Sequence, residues 1–151
     1  MRRRGFLGAS VAAAGAWRLP AAAQRFQPAQ DIRPMIEAIT GGATPESGGI
    51  QVELPQIAEN GNSVPLRVRV DSPMTPADHV RAIHVLAERN PRPRVAVFHF
   101  GPASGRAEIT TRVRLAGTQV VTVIAELTDR RFRVARTEVL VTSAACLDES
   151  L

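Results

Sequence analysis

Apolar and polar residues alternate in several short segments of the chain, which is typical of half-buried β-strands. The alternation is strict in 50–54 and 66–70, and in 66–70 it places Arg67 and Arg69 on the polar face. Segments 95–100, 108–116, 120–127 and 132–141 are predicted to be strands as well. Segment 79–88 fits both the helical and the strand period, so its state stays open. Residues 59–62 are predicted to form a turn.

One segment near the start of the domain has the helical period instead. In 31–40, Ile32, Met35, Ile36 and Ile39 share one face of a helix. Asp31 can cap its first turn, where Pro34 is tolerated, and Gly41-Gly42 ends it. Residues 41–49 are predicted to be a loop. The chain therefore begins its folded part with one short helix and continues in strands.

Six or seven short strands at regular spacing, separated by Gly and Pro turns, predict an all-β fold. The expected architecture is an antiparallel β-sandwich of immunoglobulin-like shape, with a short N-terminal helix and a flexible C-terminal arm. A true immunoglobulin domain also has paired cysteines, but this chain has one cysteine, so only the architecture is expected. Aromatic residues are few, so the core is expected to consist mainly of Val, Ile, Leu and Ala.

Residues 1–23 read as a twin-arginine signal peptide that is removed on export. Arg3 and Arg4 precede an apolar run over 8–17, and Ala21–Ala23 provide the small residues of a cleavage site after Ala23. The run is too short to span a bilayer, which takes roughly 20 residues. The mature protein is therefore expected in the periplasm, with no membrane span. The alternative is a basic N-terminus of a cytosolic protein.

Removing the signal changes the charge balance. All 19 basic residues are arginine, and Arg2, Arg3, Arg4 and Arg18 lie within the signal. The mature chain then has 15 arginines against 14 acidic residues, interleaved along the sequence. This balance argues against nucleic-acid binding.

The single cysteine, Cys146, is the candidate functional residue. It follows the last predicted strand by only a few residues, where a chain is least constrained and a side chain can reach another protein. A lone thiol in an exported chain indicates intermolecular pairing or a reactive group. A thiolate there could hold sulfur covalently. The alternatives are a buried cysteine or an exposed one without a role.

No other set of residues indicates a metal site, a cofactor site or a catalytic site. His79 and His84 lie five residues apart, on opposite faces of a strand, and no cysteine or carboxylate cluster completes a metal site with them or with His99. Nucleophile elbows, phosphate-binding glycine loops and Cys-x-x-Cys pairs are absent from the sequence. The alternating arginines 67, 69, 112 and 114 predict a solvated sheet face, with an interface rim as the alternative.

Several strings of residues together resemble the SoxY family, the sulfur carriers of periplasmic thiosulfate oxidation. They occur in the family's order over nearly the whole mature chain and lead to the terminal cysteine. The strings lie at 57–61, 64–65, 72–74, 90–93, 97–100, 111–119 and 138–142. The resemblance divides the chain into the signal peptide (1–23), a SoxY-like domain with its N-terminal helix (24–142) and a cysteine-bearing arm (143–151).

The resemblance implies a carrier and not an enzyme, with Cys146 as the point of sulfur attachment. The histidine spacing and the missing motifs predict that the protein binds no cofactor. The resemblance implies a heterodimer or higher oligomer with a second small β-sandwich protein, SoxZ. It also implies that the arm binds in turn to a haem-containing loading protein, a sulfate-releasing hydrolase and a sulfane dehydrogenase, which carry out the reactions.

The arm departs from the family pattern Gly-Gly-Cys-Gly-Gly. Ala144 and Ala145 replace glycines and restrict the backbone, and five residues follow Cys146. Two of these, Asp148 and Glu149, disfavour a nearby thiolate. The chain could therefore be a divergent carrier for another sulfur substrate, or one that no longer turns over. An exported β-sandwich interaction module, whose cysteine forms an intermolecular disulfide or has no role, remains the alternative function.

Overall fold

A computed structural model describes residues 28–143 of the chain, which begin with one helix. Helix α1 spans Arg33–Thr40, with Pro34 in its first turn. Gly41 ends the helix in the left-handed conformation, with φ of 62°, and its N–H donates to the carbonyl oxygen of Glu37 at 2.8 Å. A residue with a Cβ would be strained at this φ, which is why glycine ends the helix.

Within residues 28–143, nine strands follow the helix, most of them in the segments predicted to be strands. Their bounds are β1 Glu46–Ser47, β2 Ile50–Glu53, β3 Ile57–Ala58, β4 Val64–Val70, β5 Val80–Ala87, β6 Arg94–His99, β7 Ala107–Val113, β8 Gln119–Leu127 and β9 Phe132–Val141. The segment with the ambiguous period, 79–88, therefore contains a strand.

The strands form two sheets that pack as an immunoglobulin-like sandwich. The larger, six-stranded sheet has the order β1-β9-β8-β5-β6, and β3 also pairs with β9. The smaller sheet has the order β2-β4-β7. Most pairs are antiparallel, as predicted, but β1 and β3 both run parallel to β9. β1 pairs near the start of β9 and β3 pairs at its end, so the two short strands share one edge of the larger sheet.

The core between the sheets comes from the strand faces that the alternation predicted. Val64, Leu66, Val68 and Val70 of β4 are buried, while the residues between them are exposed. They pack against the inner face of the larger sheet, which includes Val85, Val121, Val123 and Val139. Burying each such side chain contributes about 1.5–3 kcal/mol. This is the main stabilisation of a domain with few aromatic residues.

Helix α1 covers part of the outer face of the larger sheet. The predicted apolar face of the helix, Ile32, Met35, Ile36 and Ile39, packs against Leu86, Ile124 and Phe132. Its start differs from the prediction, because the helix begins at Arg33. The Asp31 side chain still accepts a hydrogen bond from the backbone N–H of Arg33, at 3.0 Å. Within residues 28–143, the structure contains no helix of the length and apolarity needed to cross a membrane.

Candidate functional site

Cys146 and the signal segment 1–23 both lie outside the described residues, so the description of the site begins where the chain reaches Ser143. Ser143 lies at the end of the sandwich that is formed by residues 58–61, 114–119 and 141–143. We call this end the arm base. Its residues position the chain immediately before the cysteine. The arm base therefore fixes the position on the domain from which the arm continues.

Backbone hydrogen bonds hold the chain at the arm base up to Ser143. The N–H of Thr142 donates to the carbonyl oxygen of Ala58 at 3.0 Å, which continues the parallel pairing of β3 with β9. The N–H of Gly61 donates to the Ser143 carbonyl oxygen at 2.8 Å, and the N–H of Leu115 donates to the Gly61 carbonyl oxygen at 2.8 Å. Each backbone bond of this kind contributes about 1 kcal/mol net. The two-residue strand β3 thus fixes the last residues before the arm.

Two threonine hydroxyls add further hydrogen bonds at the same place. Thr118 Oγ1 accepts the N–H of Val141 at 3.0 Å, on the other side of β9 from β3. Thr142 Oγ1 donates to the Glu59 carbonyl oxygen at 3.3 Å. The end of β9 is therefore bonded to loops on both sides, which leaves little freedom before Ser143.

The buried amide of Asn90 ties the neighbouring loop to the arm base. Its Nδ2 donates to the Arg114 carbonyl oxygen at 2.8 Å, and its Oδ1 accepts the N–H of Ala116 at 2.9 Å and Nε2 of Gln119 at 3.1 Å. Gln119 Oε1 in turn accepts the backbone N–H of Arg89 at 2.9 Å. Both amide side chains are buried, so these bonds replace water that neither group can reach.

The strings that carry the family resemblance meet at this end of the molecule. Segments 57–61, 90–93, 111–119 and 138–142 are far apart in sequence, and hydrogen bonds join them around the arm base. The roles of Asn90, Thr118 and Gln119 were missed by sequence reasoning, which included them only within the strings.

The alternating arginines lie on a solvated sheet face, as predicted. Arg67, Arg69, Arg112 and Arg114 are all exposed, on the outer side of the smaller sheet. Arg67 Nε donates to Glu108 Oε1 at 2.8 Å, and this bond lowers the pKa of the Glu108 carboxyl group. Arg112 Nη1 donates to Ser63 Oγ at 3.2 Å. Of these four arginines, Arg112 borders the arm base and Arg114 lies within it.

The histidines are not brought together into a site. His79 precedes β5, with its Nδ1 3.1 Å from the Thr75 carbonyl oxygen, while His99 is the last residue of β6. His84 lies within β5, its Nε2 3.9 Å from Glu126 Oε2, and both ring nitrogens are buried without hydrogen-bond partners among residues 28–143.

Burial lowers the pKa of the His84 imidazole below its usual 6.5, against the opposing attraction of the Glu126 carboxylate. The ring is therefore neutral at pH 7. Across the same described range, no group of three or more His, Cys, Asp or Glu side chains is arranged to hold a metal ion.

Comparisons with known proteins identify the chain's relatives. The family model of the sulfur oxidation protein SoxY matches residues 36–146. The solved structure of the sulfur carrier protein SoxY from Chlorobium limicola f thiosulfatophilum is 28% identical, with a TM-score of 0.60 over 72% of this chain and 89% of that one. None of the curated proteins compared with this chain matches it.

Two superoxide reductases are similar in fold alone. The enzyme (neelaredoxin) from Ignicoccus hospitalis is 21% identical, with a TM-score of 0.56 over 62% of this chain and 80% of its own. The enzyme from Nanoarchaeum equitans is 13% identical, with a TM-score of 0.50 over 64% of this chain and 100% of its own. At these identities the similarity shows a shared sandwich architecture alone and gives no information about the site.

Proposed function

This chain belongs to the SoxY family of sulfur oxidation proteins, and from that premise we propose that it is a periplasmic sulfur carrier. Cys146 holds thiosulfate-derived sulfur covalently and presents it to the enzymes of sulfur oxidation. The chain binds the intermediate, and partner proteins perform the chemistry. Export by the twin-arginine route, through residues 1–23, belongs to the same proposal.

The observation that supports a carrier is the arm base. Hydrogen bonds hold the chain up to Ser143, and Cys146 follows three residues later. Since an extended chain spans about 3.5 Å per residue, the α-carbon of Cys146 lies at most about 10 Å from that of Ser143. A thiol on so short a tether stays near one end of a rigid domain, where successive partners can find it at the same place.

The chemistry of loading requires the thiolate of Cys146. Its sulfur bonds to the outer sulfur of thiosulfate, and the two electrons released pass to the haem-containing loading protein. Water then cleaves the sulfonate group as sulfate in the hydrolase, which leaves a persulfide on Cys146. The sulfane dehydrogenase then accepts electrons from the outer sulfur, which takes up oxygen from water to become a sulfonate, and hydrolysis of that sulfonate as sulfate returns the free thiol of Cys146. Each step takes place while Cys146 is bound at a partner protein, so the carrier itself needs no cofactor.

The intact mass of the exported protein tests this function. The protein is purified from cells given thiosulfate and measured with and without reductant. We expect a mass increase that reductant removes. An unmodified chain with every sulfur donor tried, or a disulfide-linked adduct of another protein, would instead favour the exported interaction module.

An apolar pair beside the arm base supports a partner protein. Ile57 and Leu140, 59% and 48% exposed, are the large hydrophobic side chains that the described residues expose most. Ile57 and Leu140 lie opposite each other in the parallel pairing of β3 with β9, so their side chains share one face of the sheet. Val120 lies on the same face and is half-buried. A patch of this kind fits the apolar centre of an interface. We assign it to the second small β-sandwich protein that the resemblance implies.

Replacing both residues by serine is expected to weaken the heterodimer. Burying two half-exposed side chains of this size contributes about 2 kcal/mol, which corresponds to an increase of about 30-fold in Kd. The Kd of wild-type and I57S/L140S protein for the partner is measured by calorimetry or by surface plasmon resonance. The matched control is Val97→Ser, at the opposite edge of the same sheet, which should leave Kd unchanged. Equal affinity of I57S/L140S and wild type would contradict the assignment.

A further inference from the structure

The outer face of the smaller sheet is rich in arginine. We call it the arginine face, and its charged residues are Arg67, Arg69, Arg106, Arg112 and Arg114, together with Glu53 and Glu108. The residues that alternate with the arginines along β4 and β7 point towards the core, so all five arginines are exposed to solvent. Five arginines against two glutamates leave this face with a net positive charge, which attracts acidic surfaces.

The face itself neutralises only a small part of this charge. Arg67 Nε donates to Glu108 Oε1 at 2.8 Å, and Arg112 Nη1 donates to the neutral Ser63 hydroxyl at 3.2 Å. Within residues 28–143, Arg67 is the one arginine of this face that forms an ion pair with a carboxylate. An arginine side chain has five N–H donors in a geometry that matches a carboxylate. The other four guanidinium groups can therefore pair with carboxylates of another protein.

A groove on the arginine face lies where β2 ends. Strand β2 pairs with residues 67–70 of β4, and no strand of the described range covers residues 64–66 on that side. The groove has a volume of about 370 Å³ and a largely apolar lining, formed by Glu53, Leu54, Pro55, Pro65, Leu66, Arg67 and Thr110. Arg112 lies opposite Pro65 in the pairing of β4 with β7, so it stands beside the groove. The groove therefore fits an apolar side chain that has a carboxylate next to it.

The arginine face and the exposed apolar pair lie on opposite sides of the sandwich. Ile57 and Leu140 are on the outer face of the larger sheet, because their neighbours Ala58 and Val139 are buried in the core. The arginine face is the outer face of the smaller sheet, and Arg114 places one end of it within the arm base. A protein that covers the apolar pair therefore need not cover the arginine face.

The two surfaces suit different kinds of contact. Apolar interfaces are typical of long-lived complexes, whereas complementary charges speed the encounter of two proteins and form contacts that open readily. A carrier has to leave each enzyme before it reaches the next one. The apolar pair is therefore suited to a permanent partner, and the arginine face to partners that bind in turn.

We propose that the arginine face is the docking surface for acidic patches on the enzymes that act on the carrier in turn. This proposal rests on the carrier function proposed above and adds what these enzymes share. Each presents carboxylates that pair with arginines such as Arg69 and Arg112, and an apolar side chain that enters the groove. Exposed ion pairs are weak and are screened by salt, so each enzyme is released readily.

The Kd of the heterodimer for the loading protein, the hydrolase and the dehydrogenase tests the docking surface. The full-length carrier has Cys146→Ser in every sample, so that sulfur loading cannot contribute to binding, and Kd is measured by surface plasmon resonance. At low salt we expect R69Q/R112Q to raise Kd about fivefold for each enzyme, because two exposed ion pairs are lost. Without these substitutions, Kd should rise about tenfold between low salt and about 0.5 M salt.

Two further variants separate docking at this face from a general effect of charge. R94Q/R136Q is the matched control, because it removes two exposed arginines from the outer face of the larger sheet, and it should leave Kd unchanged. Thr110→Trp fills the groove without changing the charge, and should raise Kd for each enzyme about as much as R69Q/R112Q.

Three results would overturn the proposal. They are an unchanged Kd of R69Q/R112Q for the three enzymes, an equal loss in R94Q/R136Q, and binding of the carrier to anionic phospholipid vesicles but to none of the enzymes. Failure of the carrier function itself is seen separately, because the intact mass of the exported protein would then show no adduct that reductant removes.

Discussion

Cys146→Ser protein, purified from cells given thiosulfate, is expected to carry no mass adduct that a reductant removes. Cys146 is the single cysteine of the chain, so no second thiol can take over sulfur attachment. A serine hydroxyl is not a nucleophile for sulfur at neutral pH, because sulfur exchange requires a thiolate. The intact masses of wild type and variant, each with and without reductant, give the result directly, and we expect complete loss.

The fold should survive this substitution. The hydrogen bonds that hold the end of β9 come from residues up to Ser143, so Cys146→Ser removes none of them. We expect the free energy of unfolding to change by less than about 0.5 kcal/mol. Ser150→Ala is the matched control, since it changes the same tail and keeps the thiol, and it should still be loaded. A reductant-sensitive adduct that persists in Cys146→Ser would place the attachment elsewhere.

The sequence predicted those strands that have one buried and one solvated face. Strand β4 lies in the smaller sheet, which faces the core on one side and water on the other. Its residues therefore alternate between buried and exposed. The segment that contains β5 had no clear period because that strand is covered on both sides. Ile83 and Val85 face the core, while Leu86 packs under helix α1. Apolar residues on both faces remove the alternation on which strand prediction depends.

The two parallel strands could not be predicted. β1 and β3 have two residues each, which is too short for any period, and their pairing with β9 depends on contacts between distant segments. The hydrogen bonds of the arm base could not be predicted from the sequence either. A lone cysteine is visible in the sequence, but the bonds that join Asn90 to Arg114, Ala116 and Gln119 span 24 to 29 residues. Only the folded chain shows why these polar residues are there.

Asn90→Ala is expected to destabilise the domain by about 2–4 kcal/mol. The substitution removes three hydrogen bonds, and it leaves the N–H of Ala116 and the amide of Gln119 without that partner in a buried setting. Each buried polar group left unsatisfied costs about 1–3 kcal/mol. The midpoint of urea unfolding, followed by circular dichroism, measures the loss.

Asn62→Ala is the matched control for this prediction. Asn62 is an exposed asparagine in the turn beside the arm base, and its side chain makes none of the described hydrogen bonds, so the change should stay within about 0.5 kcal/mol. Asn90→Asp separates the two functions of the amide, because it keeps an acceptor for Ala116 but replaces the donor to Arg114 by a buried charge. It should also destabilise the fold, and increasingly as pH rises through the pKa of the new carboxyl group, since burial disfavours the ionised form. If Asn90→Ala cost no more than Asn62→Ala, the buried amide would not be what ties the loop to the arm base.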